Sequence, residues 1–491
     1  MSTQPATVRD AGESGQLHRG ALSLTGAVMQ GVTHIAPTAG VILILQAEVA
    51  TIGLATPFAF VIGIVLMLLV GISLAQLARY LPSAGGLYTY ISRALDARVG
   101  WFGGWMNLLY DPFGTAIDLA ALGYVFNAAL VANYGVNFPW WATFIIAGAL
   151  VTLVIYRGIE ITGRTQVILG GLEILILLAV SVQALFSPGA GGVTGAPFNP
   201  GNATKGSDLF VAVILAVFTF TGFESTAPLA EETAHPRRTV PKAMLISLGI
   251  VGVFVIFCLW AMMIGWGTAH LSSMITYTGN PVFSVAHRLW GPAWVLLLLA
   301  IVNSLLSVSI ATSTSATRVM YAMGRDGALP RWFGHIDRRF GTPRNAIVAQ
   351  TILTAALGLG LGFLMGPFNE FLMIGVAITV GLALLYILSC LGVVKFFLTE
   401  KRRAFNPLLH LVIPLVAAVT VGFVLYHNVV PVPPYPINIA LPLAGGWVVV
   451  GIVSTVYLVR TGKTGWLDKA TRVLDDEPTA TPDAPQKTAE P

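Results

Sequence analysis

Twelve apolar runs, most of them close to the roughly 20 residues that carry an α-helix across a bilayer, follow one another through this chain. They lie near 22–50, 57–78, 100–132, 139–156, 165–186, 209–230, 242–266, 292–322, 346–365, 370–398, 408–430 and 437–459. In lipid, every backbone N–H and C=O must be satisfied within the protein, so successive runs of this length predict an all-α integral membrane protein with twelve transmembrane helices. Composition agrees. Of 491 residues, 55% are hydrophobic and 10% charged, whereas a soluble domain carries about 25% charged residues. The expected organisation is a cytoplasmic N-terminal tail over 1–20, a transmembrane domain over 21–460 and a disordered cytoplasmic tail over 461–491, rich in Pro, Thr, Asp and Ala. The first apolar run is too long for a signal-peptide core and leads straight into a second span, so no secretory signal is expected.

The charges test the span count. With the N-terminus in the cytoplasm, all but two of the 27 Lys and Arg residues fall on the cytoplasmic side; Lys205 and Arg288 are the exceptions. An error of one span would mix the two sides from that point onward. This dispersal through membrane loops also accounts for the net charge of +5 without a nucleic-acid partner. The expected location is the cell membrane, multi-pass, with both termini inside. Cys258 and Cys390 lie within apolar runs and are expected to be buried thiols. No metal-ligand, nucleophile or phosphate-loop spacing occurs, so neither an enzyme nor a cofactor is expected, and transport would draw on a gradient.

Two spans carry interruptions. The first contains "GVTHIAPTAG" (Gly31–Gly40), where Pro37 removes a donor and the flanking glycines weaken the helix. The sixth contains "FTFTGFEST" (Phe218–Thr226), with Pro228 following. Breaks at spans one and six suggest two five-span repeats followed by two extra helices. In inverted-repeat transporters, discontinuous helices at matching positions mark a midplane substrate site built from half-helix ends and unwound backbone. Candidate substrate-binding residues are therefore Thr33, His34, Ile35, Ala36, Thr38, Ala39 and Gly40 from the first break, with Phe218, Phe220, Thr221, Gly222 and Phe223 from the second.

Three long segments resemble the amino acid–polyamine–organocation superfamily of LeuT-like transporters. "YLPSAGGLYTYISRALDARVGWFGGW" (Tyr80–Trp105) is similar to that family's Pro-x-Ala-Gly-Gly-x-Tyr segment and the Gly-Trp after it. "FTFTGFESTAPLAEETAHPRRTVPKA" resembles its sixth span and the following loop, and "RVMYAMGRDGALPRWF" (Arg318–Phe333) resembles the segment after its eighth. The resemblance covers roughly residues 21–460. It implies a LeuT-like 5+5 inverted repeat plus two C-terminal helices, with spans one and six discontinuous, and secondary transport of an amino acid or related amine by alternating access. Proton symport is the first expectation for coupling, with sodium and substrate exchange behind it. In place of the family's Gly-Ser-Gly-type carboxylate-binding motif, the first break reads "THIAPTAG". That departure favours the alternative of a polyamine or amino-alcohol carrier. A channel or a nontransporting sensor on the same fold is the rival of a different class.

Ionisable residues inside spans are costly and therefore candidate functional groups. Glu224 lies in the second break, where the family often has an acid; it fits a proton carrier or amine partner, or a cap for the broken helix. By the resemblance, Glu173 matches a position where many proton-coupled relatives have a lysine; as a coupling residue it fits proton uptake, pairing with His34 or cation binding, and a structural buried acid is the alternative. Asp111 and Asp118 stand seven residues apart in span three, hence on similar faces, and suit a cationic substrate or helix-to-helix bonding. His34 fits either a proton switch or a neutral imidazole giving one bond. The resemblance implies that Phe218 stacks on substrate. Ser309, Thr312 and Ser313, with Asn303, Ser304, Ser307 and Ser315 along span eight, form a candidate ion site or a set of interhelical bonds worth about 0.6–2 kcal/mol each. Glu231, Glu232, Arg237 and Arg238 are expected to form a solvated charge network at the cytoplasmic end of span six.

Overall fold

The computed structural model describes residues 17–204 and 206–461. Lys205, residues 1–16 of the expected N-terminal tail and 462–491 of the C-terminal tail lie outside the described residues. The described chain forms sixteen α-helices and no β-strand. The first five are α1 (Leu24–Ile35), α2 (Pro37–Ile52), α3 (Thr56–Tyr80), α4 (Leu87–Ala94) and α5 (Ala97–Tyr134). Then come α6 (Trp140–Tyr156), α7 (Ile159–Phe186), α8 (Gly206–Thr219) and α9 (Pro236–Trp266), with a 3-10 segment, Phe223–Glu232, between the last two. Two short helices, α10 (Leu271–Ile275) and α11 (Pro281–Trp290), precede α12 (Val295–Asp326). The chain ends through α13 (Arg344–Met365), α14 (Pro367–Thr399), α15 (Ile413–Val429) and α16 (Ala440–Arg460).

Among the described residues, eleven helical stretches are long and apolar enough to cross a membrane. The one expected span not among them is the fourth, which corresponds to α6, apolar but only 17 residues long. At 1.5 Å per residue it reaches about 25 Å, short of a hydrocarbon core of about 30 Å. The basic loops gather at one end of the bundle, hereafter the basic face. Helix α5 lies centrally, packed along α12 and α14, while α3 packs along α9. Helix α16 is pinned to α5 by two reciprocal bonds: the Trp105 indole donates to the Trp447 carbonyl and the Trp447 indole to that of Trp105, both at 2.9 Å. Both cysteines are buried and free.

Both interruptions have a local cause. Pro37 lacks an N–H, and its ring would collide with the Thr33 carbonyl if the helix ran on. The backbone escapes at Ala36, which adopts φ 53° and ψ 62°. That left-handed conformation costs a non-glycine residue about 1–2 kcal/mol, and α2 then starts afresh with Pro37 at its first position. The second break turns on Gly222, with φ 115°. The chain after it continues as the tighter 3-10 coil through Pro228.

Candidate functional site

The two breaks touch. A Cβ at Gly222 would lie 2.7 Å from the His34 ring and 2.9 Å from the His34 carbonyl carbon and oxygen. Only glycine allows both that contact and the positive φ. On the next turn, Gly40 faces Thr219, which a Cβ would approach to 3.1 Å. A cavity of about 390 Å³ opens beside this junction. It extends along α2 from the break to Ala47, the C-terminal part of α8, the N-terminal part of α14 and the end of α15, reaching Ile214, Phe371 and Asn428. The start of α14 and the end of α15 lie away from the basic face, so the cavity runs from the breaks into the opposite half of the bundle.

From the first break, His34, Ile35, Ala36, Ala39 and Gly40 line the cavity, and from the second Phe218 and Thr221 do. Asp118, Tyr110 and Thr312 complete its polar lining around α5 and α12, and no Lys or Arg is among the lining residues. The other candidates stand behind that wall. Thr33 turns its hydroxyl back onto the Met29 carbonyl at 2.8 Å and packs against α7 at Gly170. Phe220 is fully buried edge-on against Phe60, and Phe223, also buried, stacks on Tyr386.

The cavity floor is a buried polar layer. His34 stacks on Tyr110, with Nε2 3.3 Å from the phenol oxygen and 3.9 Å from Asp111 Oδ1. Asp111 therefore reaches the cavity only through His34, and its other oxygen accepts from Ser315 Oγ at 2.6 Å. Beneath the second break, Glu224 Oε2 accepts from the Gly222 N–H at 3.0 Å and from Tyr386 Oη at 2.6 Å. The carboxylate thus caps the break while Tyr386 ties it to α14. Glu173 lies apart from His34 on the far side of α2, fully buried, where Thr38 Oγ1 donates to its carbonyl at 3.4 Å. Close by, Ser304 Oγ accepts the Ala39 N–H at 3.2 Å.

The proposed hydroxyl triad of span eight does not converge. Ser309 bonds its own helix at the Leu305 carbonyl, while Thr312 and Ser313 reach Thr115 at 2.9 and 3.1 Å. The hydroxyl that meets the first break is Ser304, one turn and more before them.

The charge network at the basic face differs from the solvated one expected. Glu232 and Arg318 are both fully buried and form a two-pronged pair, Nε to Oε2 at 2.9 Å and Nη2 to Oε1 at 3.2 Å. Arg318 lies within α12, and the cost of leaving a buried guanidinium alone drives Glu232 inward. Glu231 remains half-buried, bonding Arg325 at 2.8 Å and the Ala84 N–H at 2.9 Å. Tyr88 donates to Asp326 at 3.3 Å. The segment before α1 is strapped on by Leu22, whose N–H donates to the Glu232 carbonyl at 2.9 Å. Arg237 donates to the Tyr80 carbonyl at 3.2 Å. Between the cavity floor and the basic face thus lie the buried Glu232–Arg318 pair and the half-buried Glu231–Arg325 pair.

Two further acids inside spans, Glu48 in α2 and Glu370 at the start of α14, are fully buried. The rule that singles out Glu173, an ionisable residue within an apolar run, applies to both.

Residues 20–454 match the family described as amino acid permease. The low-affinity putrescine importer PlaP of Escherichia coli K12 is 26% identical over 82% of this chain and 87% of its own length. The branched-chain amino acid permease BcaP of Bacillus subtilis is 26% identical over 74% and 80%. The histidine permease HisP of Lactococcus lactis is 27% identical over 65% and 68%. With a cavity at two broken helices and a match along most of its length, this chain belongs to the amino acid permease family of the amino acid–polyamine–organocation superfamily.

Proposed function

We propose that this protein is a secondary active transporter of an amino acid or related amine, working by alternating access in a cell membrane with both termini cytoplasmic. Its twelve spans, counting α6, form a LeuT-like 5+5 inverted repeat with two helices added, and the cavity between the breaks holds the substrate. The observation that carries this reading is the contact of Gly222 with His34, which joins both interruptions at the cavity. The ion-paired closure below and the cavity above correspond to a state facing away from the cytoplasm. Opening the other way requires the Glu232–Arg318 and Glu231–Arg325 pairs to separate.

Within that class the site favours an amine without a carboxylate. A carboxylate would need free N–H groups at the breaks. Pro37 has none; the Ala39 N–H goes to Ser304, that of Gly40 to the Ala36 carbonyl and that of Gly222 to Glu224, while Thr38 and Phe223, whose N–H groups are not used in this way, stand outside the cavity lining. Phe220 and Thr221 donate to Val217 and Phe218. The cavity wall meanwhile offers Asp118 and no basic side chain except His34. The ammonium group would bind at Asp118, its apolar body against Phe218 and Ile35. The likeness to a putrescine importer supports the same choice.

For coupling we favour protons, with Glu224 and Glu173 as carriers and His34 beside the substrate. Purified protein in proteoliposomes should take up amines faster when the outside is more acidic. Simple amines should compete about tenfold better than α-amino acids of similar size; the reverse ranking overturns the amine reading. Glu173→Gln and Glu224→Gln should each reduce the pH-driven component at least tenfold, and coupling through these acids fails if both leave it unchanged.

A further inference from the structure

The loop between α12 and α13 is built as a platform rather than a tether. Asp337 accepts the N–H groups of Arg339 at 2.8 Å and Phe340 at 3.2 Å, and the Tyr156 hydroxyl at the end of α6 donates to it at 3.1 Å. Thr342 donates back to the Tyr156 carbonyl at 3.3 Å, and the Tyr156 ring lies against Phe340. Asn345 anchors the first part of the loop by donating to the Trp332 carbonyl at 2.8 Å. The α12–α13 loop and the α6–α7 turn thereby form one surface.

That surface presents exposed Arg157, Arg164, Arg331, Arg338, Arg339 and Arg344. Two acids lie within it, exposed Glu160 and Asp337, and the latter is occupied by the loop's own donors. Arg157 ends α6 and Arg344 begins α13, so the cluster sits where two spans leave the bilayer. Trp332, 52% exposed, stands beside it. An exposed indole among arginines at a span end fits the headgroup layer, where its ring and N–H both find partners. Each basic residue near an anionic leaflet adds to the attraction, and arginine forks match phosphate oxygens in pairs.

We propose that the joined α6–α7 and α12–α13 loops form a binding site for the headgroup of an anionic phospholipid of the surrounding bilayer. The partner is chosen by charge complementarity and by position: six guanidinium groups on a fixed scaffold, at the height of lipid phosphates. A soluble phosphate compound would share the chemistry but not the place.

The test uses the full-length purified protein titrated with phosphatidylglycerol or phosphatidylcholine, with bound lipid counted by native mass spectrometry. Wild type should hold phosphatidylglycerol about tenfold more tightly than phosphatidylcholine. The double variant Arg338→Gln, Arg339→Gln should lose that preference. The double variant Arg402→Gln, Arg403→Gln, on a different exposed basic loop, should keep it, as should Arg338→Lys, Arg339→Lys in large part. Equal retention of both lipids by wild type overturns the proposal. So does an equal loss from both glutamine pairs, which would mean a diffuse positive surface, or displacement of the lipid by millimolar glycerol phosphate.

Discussion

Adding one methyl group at Gly222 should separate the breaks. The Cβ would meet the His34 backbone at 2.9 Å, in a conformation that side chains rarely adopt. Gly222→Ala is expected to cost about 1–3 kcal/mol and to abolish uptake, with the melting temperature of the purified protein lowered but expression retained. Asp118→Asn removes the carboxylate that lines the cavity; it should raise the KM for amines about tenfold while leaving folding intact. Arg318→Ala would strand Glu232 in a fully buried site, at a cost of about 3–5 kcal/mol to the closed state. Candidate residues near the breaks were legible because Pro37, Gly222 and Glu224 stand out in apolar runs. Which of them face the cavity was not, because rotation about a broken helix axis depends on packing. Arg318 escaped for a related reason: near the end of span eight it counts as one more cytoplasmic-side basic residue, and its pairing with Glu232 depends on packing between distant segments.

Helices α1 and α2 differ from the other spans in how they are held. Helix α1 is strapped by Leu22 to the chain after Glu232, and α2 is joined to α12 by the Ala39–Ser304 bond. On the proposed mechanism, motion between the halves would concentrate at Ala36 and Gly222, with the ion pairs acting on the α1 side. Weakening them should expose the basic-face half first. Arg318→Met with Glu232→Leu, which removes both charges together, should preserve stability better than either single change. It should raise the rate at which Ser83→Cys, buried in the closed state, is labelled from the basic face by about tenfold; an unchanged rate would mean that the pair does not latch that side. Span boundaries were readable from apolar length alone, to within a few residues for most helices. The shortness of α6 was readable too, since the run 139–156 lies between Pro139 and Arg157 and the helix forms over nearly the same residues.

The whole bundle is closed at one end by buried charges and hollow toward the other, and family membership joins that asymmetry to permeases for amino acids and amines. The general architecture followed from run lengths and from the distribution of basic residues. The cavity's chemistry did not, because it depends on hydrogen bonds that consume backbone donors far apart in sequence, such as Ala39 with Ser304. If the site between the breaks receives the substrate, an amine should shield it from other reagents. Ala39 is small and lines the cavity, while the native Cys258 and Cys390 are buried and can be replaced by serine. The rate at which Ala39→Cys reacts with a membrane-impermeant thiol reagent should therefore fall about tenfold when putrescine or a similar amine is present at saturation. Labelling at the same rate with and without amine, in protein that still transports it, would contradict the assignment of this cavity as the substrate site.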